Sequence, residues 1–429
     1  MGAWRRLCLG LAGIALMLLA AGLVLGRPAL WQPAAVAAAV TLALGFGARP
    51  ALRGYQFTAW IVAAVAAGMI YPGAFSHWGG LDLRNRWVIL FVVQAVMFGM
   101  GTQMSLRDFA GVARNPRGVL VGIVCHFSVM PLVGLALTRL FHFPAEIAAG
   151  IILIGSCSSG LASNVMAYLA RANLALSVTV TAVTTMVAPF LTPLWMKLLA
   201  GRLVAVSVPG MMREIVEIVI VPIGAALLHD YLKHASPRGR RRVRAAAAAG
   251  AVWLAFLAVG GWHWLAAVLP GNALAGVGVL GFFAGAVAGG VAYHALAARR
   301  PGLDRLMPVA SMAGIVYFTT VTTAAGRDSL LQVGGLLFLA AALHNAAGYF
   351  FGYWLSRGAG LDVNSARSVA FEVGLQNGGM ASGLAGEMGK LGTVGLAAAI
   401  FSPWMNVSGS ILANYWKRRL PRDAAPSAP

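Results

Sequence analysis

The chain has 429 residues, 59% of them hydrophobic and only 10% charged, with a mean hydropathy of +0.79. This excludes a water-soluble domain and points to an all-α integral membrane protein. Lys and Arg outnumber Asp and Glu by 32 to 12, for a net charge of +20, but the basic residues cluster at the ends of apolar runs. They set topology beside anionic membrane lipid, and they argue against nucleic acid as a partner.

Apolar runs of spanning length recur at 7–25, 29–47, 56–75, 87–104, 118–140, 145–169, 173–199, 211–232, 246–269, 273–298, 306–325, 329–356, 367–388 and 391–416, which predicts about 14 transmembrane helices. With the N-terminus and its Arg5 and Arg6 in the cytoplasm, the inner segments hold 23 of the 32 Lys and Arg residues. The positive-inside rule thus predicts an even number of spans with both termini cytoplasmic. The run Pro237 to Arg244 is the strongest basic anchor. The first apolar run is long for a signal-peptide core, and a second span follows at once, so it reads as a span. Cys8, Cys125 and Cys157 lie inside apolar runs without zinc-type spacing and read as small packing residues. The tail beyond Arg422 is short and polar and reads as disordered.

Two polar knots interrupt runs that should be apolar throughout. They are GSCSSGLASN (Gly155 to Asn164) and FEVGLQNGGMASG (Phe371 to Gly383), one in each half of the chain. Loosened backbone at membrane depth is tolerated only where protein or a water-filled cavity satisfies its N–H and C=O groups. An acid there, Glu372, is a functional-site hypothesis by default. Paired interruptions in the two halves point to a transporter with a site near the midplane.

The residue types suit a hard cation, which wants several neutral oxygens and an anionic ligand. Ser163 and Asn164 lie at the first knot, Ser177 and Thr181 stand four apart on the following helix, and Glu372 and Gln376 stand four apart at the second knot. Unwinding near Gly374 would free the carbonyls of Val373 and Leu375. The plainer reading of any one Ser or Thr is a hydrogen bond to its own helix; the whole set with its acid favours a site. The same breaks expose half-helix N-termini near Gly155–Gly160 and Gly378–Gly379, where a carboxylate can bind without a buried Arg, although such glycines also serve close helix packing. His344 and Asn345 read as helix bridges, Glu146 and Glu387 as boundary residues, Glu214 and Glu217 as interfacial, and His263 as part of an aromatic belt. No catalytic triad, P-loop or HExxH pattern appears, so the chain does not read as an enzyme.

Taken in order, five stretches make the chain resemble the bile acid:sodium symporter family: Met97 to Phe109, Phe143 to Thr185, Leu343 to Tyr349, Glu372 to Gly379, and Asn406 to Trp416. The resemblance implies ten spans arranged as inverted five-helix repeats, forming a panel and a core in which two broken helices cross. It also implies sodium-coupled symport of a small organic anion, such as a bile acid, a pantoate-like acid or an oxo acid, with sodium as coupling ion rather than cofactor. One sodium site would map to Ser163, Asn164, Ser177, Thr181 and Glu372. A second would map to Glu372, Gln376 and the carbonyls of Val373 and Leu375, with His126 where a Gln ligand is expected. Asn377, Asn406, Leu161, Gly378 and Gly160 would face the substrate. Leu161 replaces an expected hydroxyl and Met405 a frequent His, so the substrate side is more apolar.

On the same footing, 1–54 is an added two-helix hairpin, 55–200 the first repeat, 201–239 the start of the second, 240–300 an inserted hairpin, 301–420 the remainder and 421–429 the tail. The expected location is a bacterial inner (plasma) membrane. A proton-coupled symporter or cation/proton antiporter using Glu372 and His126 is the alternative, since a His can carry a proton near neutral pH. A membrane enzyme or a sensor finds no supporting cluster or output domain.

Overall fold

Side chains that cap helices stand at the breaks between the apolar runs, and the chain turns there. Asn85, Asn115, Asn173, Ser236, Asp362 and Asn377 each accept hydrogen bonds from the first turn of the helix that follows. Pro116 and Pro237 add a preset φ at the first helical position. Burial pushes the Asp362 carboxyl up, but hydrogen bonds from the Ser365 hydroxyl and from the main-chain N–H groups of Ser365 and Asn364 outweigh it, holding this carboxyl below the usual carboxylate range. The computed structural model describes residues 2–300 and 302–419; the tail expected to be disordered, 421–429, lies outside the described residues.

The described residues are helical almost throughout, apart from one short hairpin pairing His77–Trp78 with Leu81–Asp82. Nine helices among them are long and apolar enough to cross a membrane, or ten if Arg86–Gly101 and Leu106–Arg114, bent by 64°, form one span. The chain is therefore a multi-pass membrane protein. The difference from 14 has local causes. Gln56–Ile70 has 15 residues and is followed by Pro72. The runs at 145–169 and 367–388 are each broken into two short helices, Ala145–Ser156 with Ala162–Leu169 and Val363–Gly374 with Gly378–Glu387. The run at 211–232 carries a π-turn at Val216–Ile220.

One boundary is corrected. The basic run at 237–244 is not a polar break before a helix expected at 246; it forms the first two turns of Pro237–Phe256. Arg and Ala are strong helix formers, and the Ser236 cap and Pro237 start the helix before the apolar run begins.

Gly2–Val24 and Pro28–Gly45 pack against each other as a hairpin. Arg5 Nη1 donates to Gly47 O (3.1 Å), and Gln56 Nε2 donates to Ala43 O (3.0 Å), tying the hairpin to the next helix. A second hairpin, Pro237–Phe256 with Gly271–Arg299, packs on Val221–His234, where Gly290 lets the chains approach so closely that a Cβ would lie 2.8 Å from Ala225 O. A polar clasp holds its far end. Asp304, opening the Leu303–Ala325 helix, accepts from Tyr293 Oη (2.7 Å) and Lys233 Nζ (2.9 Å), while His229 and His294 meet through their Nδ1 atoms at 3.2 Å. The most enclosed residues, among them Phe371, Phe401, Met97, Met130 and Ile152, surround the two broken helices.

Candidate functional site

The two breaks meet. Cys157 leaves the first broken helix in extended conformation, as Leu375 leaves the second, and the strands between the half-helices pair antiparallel as a single bridge, Ser159 with Gln376. Gly160 N donates to Leu375 O (2.9 Å), and Asn377 N donates to Ser158 O (2.8 Å). Gly160 has no room for a side chain, because a Cβ would lie 2.6 Å from Gln376 O. Asn377 Oδ1 then caps the Gly378–Glu387 helix through Met380 N (3.0 Å). A Cβ on Gly378 would collide with the Ser402 hydroxyl.

Freed main-chain carbonyls at a buried break need donors, and the surrounding helices supply them. Thr192 Oγ1 donates to Ser156 O (2.7 Å), Gln376 Nε2 to Val373 O (2.7 Å), and Asn345 Nδ2 to Gly374 O (2.7 Å). His126, fully buried, bridges the two broken helices: Nδ1 lies 2.9 Å from Glu372 O and Nε2 2.8 Å from Cys157 O. Asn345 is held in turn, its Oδ1 accepting from Ser408 Oγ at 2.5 Å, and Tyr349 reaches the same hydroxyl (3.2 Å). His344 bonds Met130 O (2.8 Å), so both residues of that pair bridge helices. Asn345→Ala leaves Gly374 O buried without this donor and is expected to cost about 1–3 kcal/mol. A lowered melting temperature in detergent, with Ser408→Ala milder, is the check.

One helical turn before this break, the Glu372 side chain has no exposed surface. Ser177 Oγ donates to its Oε1, and Thr181 Oγ1 donates to its Oε2 (2.8 Å). The same hydroxyls lie 2.9 and 3.2 Å from Asn164 Oδ1. Ser163 Oγ is 3.3 Å from Thr181 Oγ1 and donates to Gly160 O (2.8 Å). Ser163, Asn164, Ser177, Thr181 and Glu372, drawn from three helices, thus form one oxygen cluster. Each hydroxyl carries one proton, yet those of Ser177 and Thr181 each face two acceptors. No Lys or Arg among the described residues pairs with Glu372. A buried carboxylate without a counter-charge costs several kcal/mol, and this one is ringed by neutral oxygens short of protons. Such a set of oxygens can hold a hard cation.

Beside the crossing lies a cavity of about 290 Å³. Gly160, Leu161, Asn377, Gly378 and Asn406 all line it, and so do Met100, Met312, Ile315 and Met405. Asn406 Nδ2 donates to Ser402 O (2.7 Å). No Lys or Arg lines it. Several participants escape the motif reading. Ser159 bonds Ser163 (3.4 Å) and Leu375 O (3.3 Å), although it lies inside a serine cluster that flags it. Gln103, in the turn after Arg86–Gly101, joins the cavity wall with Ser311 and with Ser402, one turn before Asn406 on the same helix.

A model of the sodium bile acid symporter family matches residues 89–263. An uncharacterized sodium-dependent transporter of Bacillus subtilis (strain 168) is 32% identical over 375 residues, covering 87% of this chain and 94% of the relative. The chain belongs to the sodium bile acid symporter family. A chloroplastic "probable sodium/metabolite cotransporter" of Oryza sativa subsp. japonica is 30% identical over 372 residues, with 86% and 73% covered, and one of Arabidopsis thaliana is 28% identical over 367 residues, with 85% and 74% covered. Relatives in this family bear the names of transporters, not enzymes, so the oxygen cluster belongs to a sodium-dependent transport protein and is not a catalytic centre.

Proposed function

We propose that this family member is a secondary active symporter that couples sodium entry to import of a small organic anion by alternating access. The observation that carries the reading is the proton-poor oxygen cluster around buried Glu372, set against a cavity at the crossing of two broken helices. In this reading Ser163, Asn164, Ser177, Thr181 and Glu372 hold the sodium ion. The anion sits in the cavity between Asn377 and Asn406, near the N-termini of Ala162–Leu169 and Gly378–Glu387, whose dipoles favour negative charge. Cation binding offsets the charge of the arriving carboxylate, so the two bind cooperatively by linkage. A cavity of about 290 Å³ is at the small end for ligand sites and favours pantoate-like or oxo acids over bile acids.

In this reading each broken run counts as one span, and Gln56–Ile70, Arg86–Gly101 and the run at 211–232 are spans as well, which with the nine long helices gives 14. Two inverted five-helix repeats carry the site, and the hairpins within 1–54 and 240–300 are additions to them. Both termini are cytoplasmic, and the host membrane is a bacterial inner membrane. Proton coupling through a Glu372–His126 pair is less well supported, because His126 meets the main-chain oxygen of Glu372 and not its carboxylate.

The test is a thermal-shift screen of small carboxylates with and without sodium, since a ligand stabilises the fold according to its occupancy. The expected result is stabilisation by an acid only when sodium is present. An acid that stabilises equally without sodium overturns the coupling.

A further inference from the structure

The geometry points to a single sodium ion per transport cycle, with His126 and Gln376 closing the place where a second would bind. The inference rests on the sodium-coupled reading above and fixes its stoichiometry.

A second cation near the crossing would draw on the carbonyls freed by the second break, on Gln376, and on the facing Pro116–Phe141 helix, which carries His126. Those oxygens are already engaged. Val373 O accepts from Gln376 Nε2 at 2.7 Å, and Leu375 O accepts from both Gly160 N (2.9 Å) and Ser159 Oγ (3.3 Å). Gly374 O is taken by Asn345 (2.7 Å). The imidazole of His126 fills the space between Glu372 O and Cys157 O at 2.9 and 2.8 Å, and its single N–H engages one of the two. The Gln376 amide has its nitrogen against Val373 O, and its Oε1 is a buried acceptor without a partner. Besides the Glu372 carboxylate, that leaves two uncommitted oxygens, Gln376 Oε1 and whichever carbonyl the His126 N–H does not reach, where a desolvated hard cation wants about six. The cluster at Asn164, Ser177 and Thr181 is the opposite case: two hydroxyl protons are shared among three acceptor oxygens, Asn164 Oδ1 and both carboxylate oxygens. The second set of residues does not fit sodium; the first does. With a monovalent acid as cargo, one sodium per cycle moves no net charge.

The experiment is equilibrium binding of radioactive sodium to the purified full-length protein in nanodiscs, with uptake in proteoliposomes as a second readout. At saturation one sodium is expected per chain, the dependence of uptake on sodium is hyperbolic, and uptake of a monovalent acid is unchanged by an imposed membrane potential. Two sodium ions per chain overturn the inference but leave sodium coupling standing. None bound overturns the sodium reading itself. His126→Gln frees both carbonyls and supplies an amide oxygen, so bound sodium is expected to rise from one to two and the sodium dependence to become sigmoidal. A folded His126→Gln protein that still binds one removes His126 as the residue that sets the count. If that variant does not fold, the wild-type stoichiometry decides alone.

Discussion

Glu372→Gln is expected to abolish sodium-driven uptake while the protein still folds. The substitution keeps the size of the side chain and one of its acceptor oxygens, so the hydroxyls of Ser177 and Thr181 still have partners. What it removes is the one negative charge of the oxygen cluster. Losing one partner of a buried charge pair costs about 3–5 kcal/mol, so sodium affinity is expected to fall by on the order of 100-fold or more, beyond any practical sodium concentration. Melting in sodium-free buffer should hold or rise, because an uncompensated buried charge has gone, and stabilisation by added sodium should vanish. Sodium-driven uptake at the wild-type level in this variant would remove Glu372 from the mechanism.

The second large effect is expected at Gly160. An alanine there places a methyl carbon 2.6 Å from Gln376 O and 3.1 Å from Gln376 C. Both are main-chain atoms, held by the bridge between Ser159 and Gln376, so no rotamer change relieves the clash. The breaks must part, which loosens the bonds of Gly160 N to Leu375 O and of Asn377 N to Ser158 O. Overpacking of this kind costs about 1–3 kcal/mol, and since it falls on the cavity wall, uptake is expected to drop about tenfold or more. Gly224→Ala is the control, since its methyl meets nothing within 4 Å. Equal uptake and equal melting for the two variants would mean that the crossing is not held this tightly.

The oxygen cluster was legible in the sequence because its residues have a poor alternative explanation. Polar groups at hydrocarbon depth, two of them four apart on one helix and an acid at a glycine-rich break, are costly unless they meet, and Ser163, Asn164, Ser177, Thr181 and Glu372 do meet. The roles of His126 and Asn345 were harder to read, because their partners are main-chain carbonyls of distant helices, and a carbonyl leaves no mark in the amino-acid code. The cavity wall was partly hidden for a related reason: Gln103 sits in the turn after Arg86–Gly101 and Ser311 on an apolar helix, and only the packing brings both to the cavity that Asn377 lines. The early start of the helix at Pro237 was masked by its charge, since hydropathy reports lipid contact and not helix formation.

Asp304 bonds to Tyr293 on one side and Lys233 on the other, so it links Gly271–Arg299 to Val221–His234 and Leu303–Ala325. Any movement of Gly271–Arg299 is thereby felt by the Leu303–Ala325 helix, whose Ser311, Met312 and Ile315 line the cavity beside the crossing.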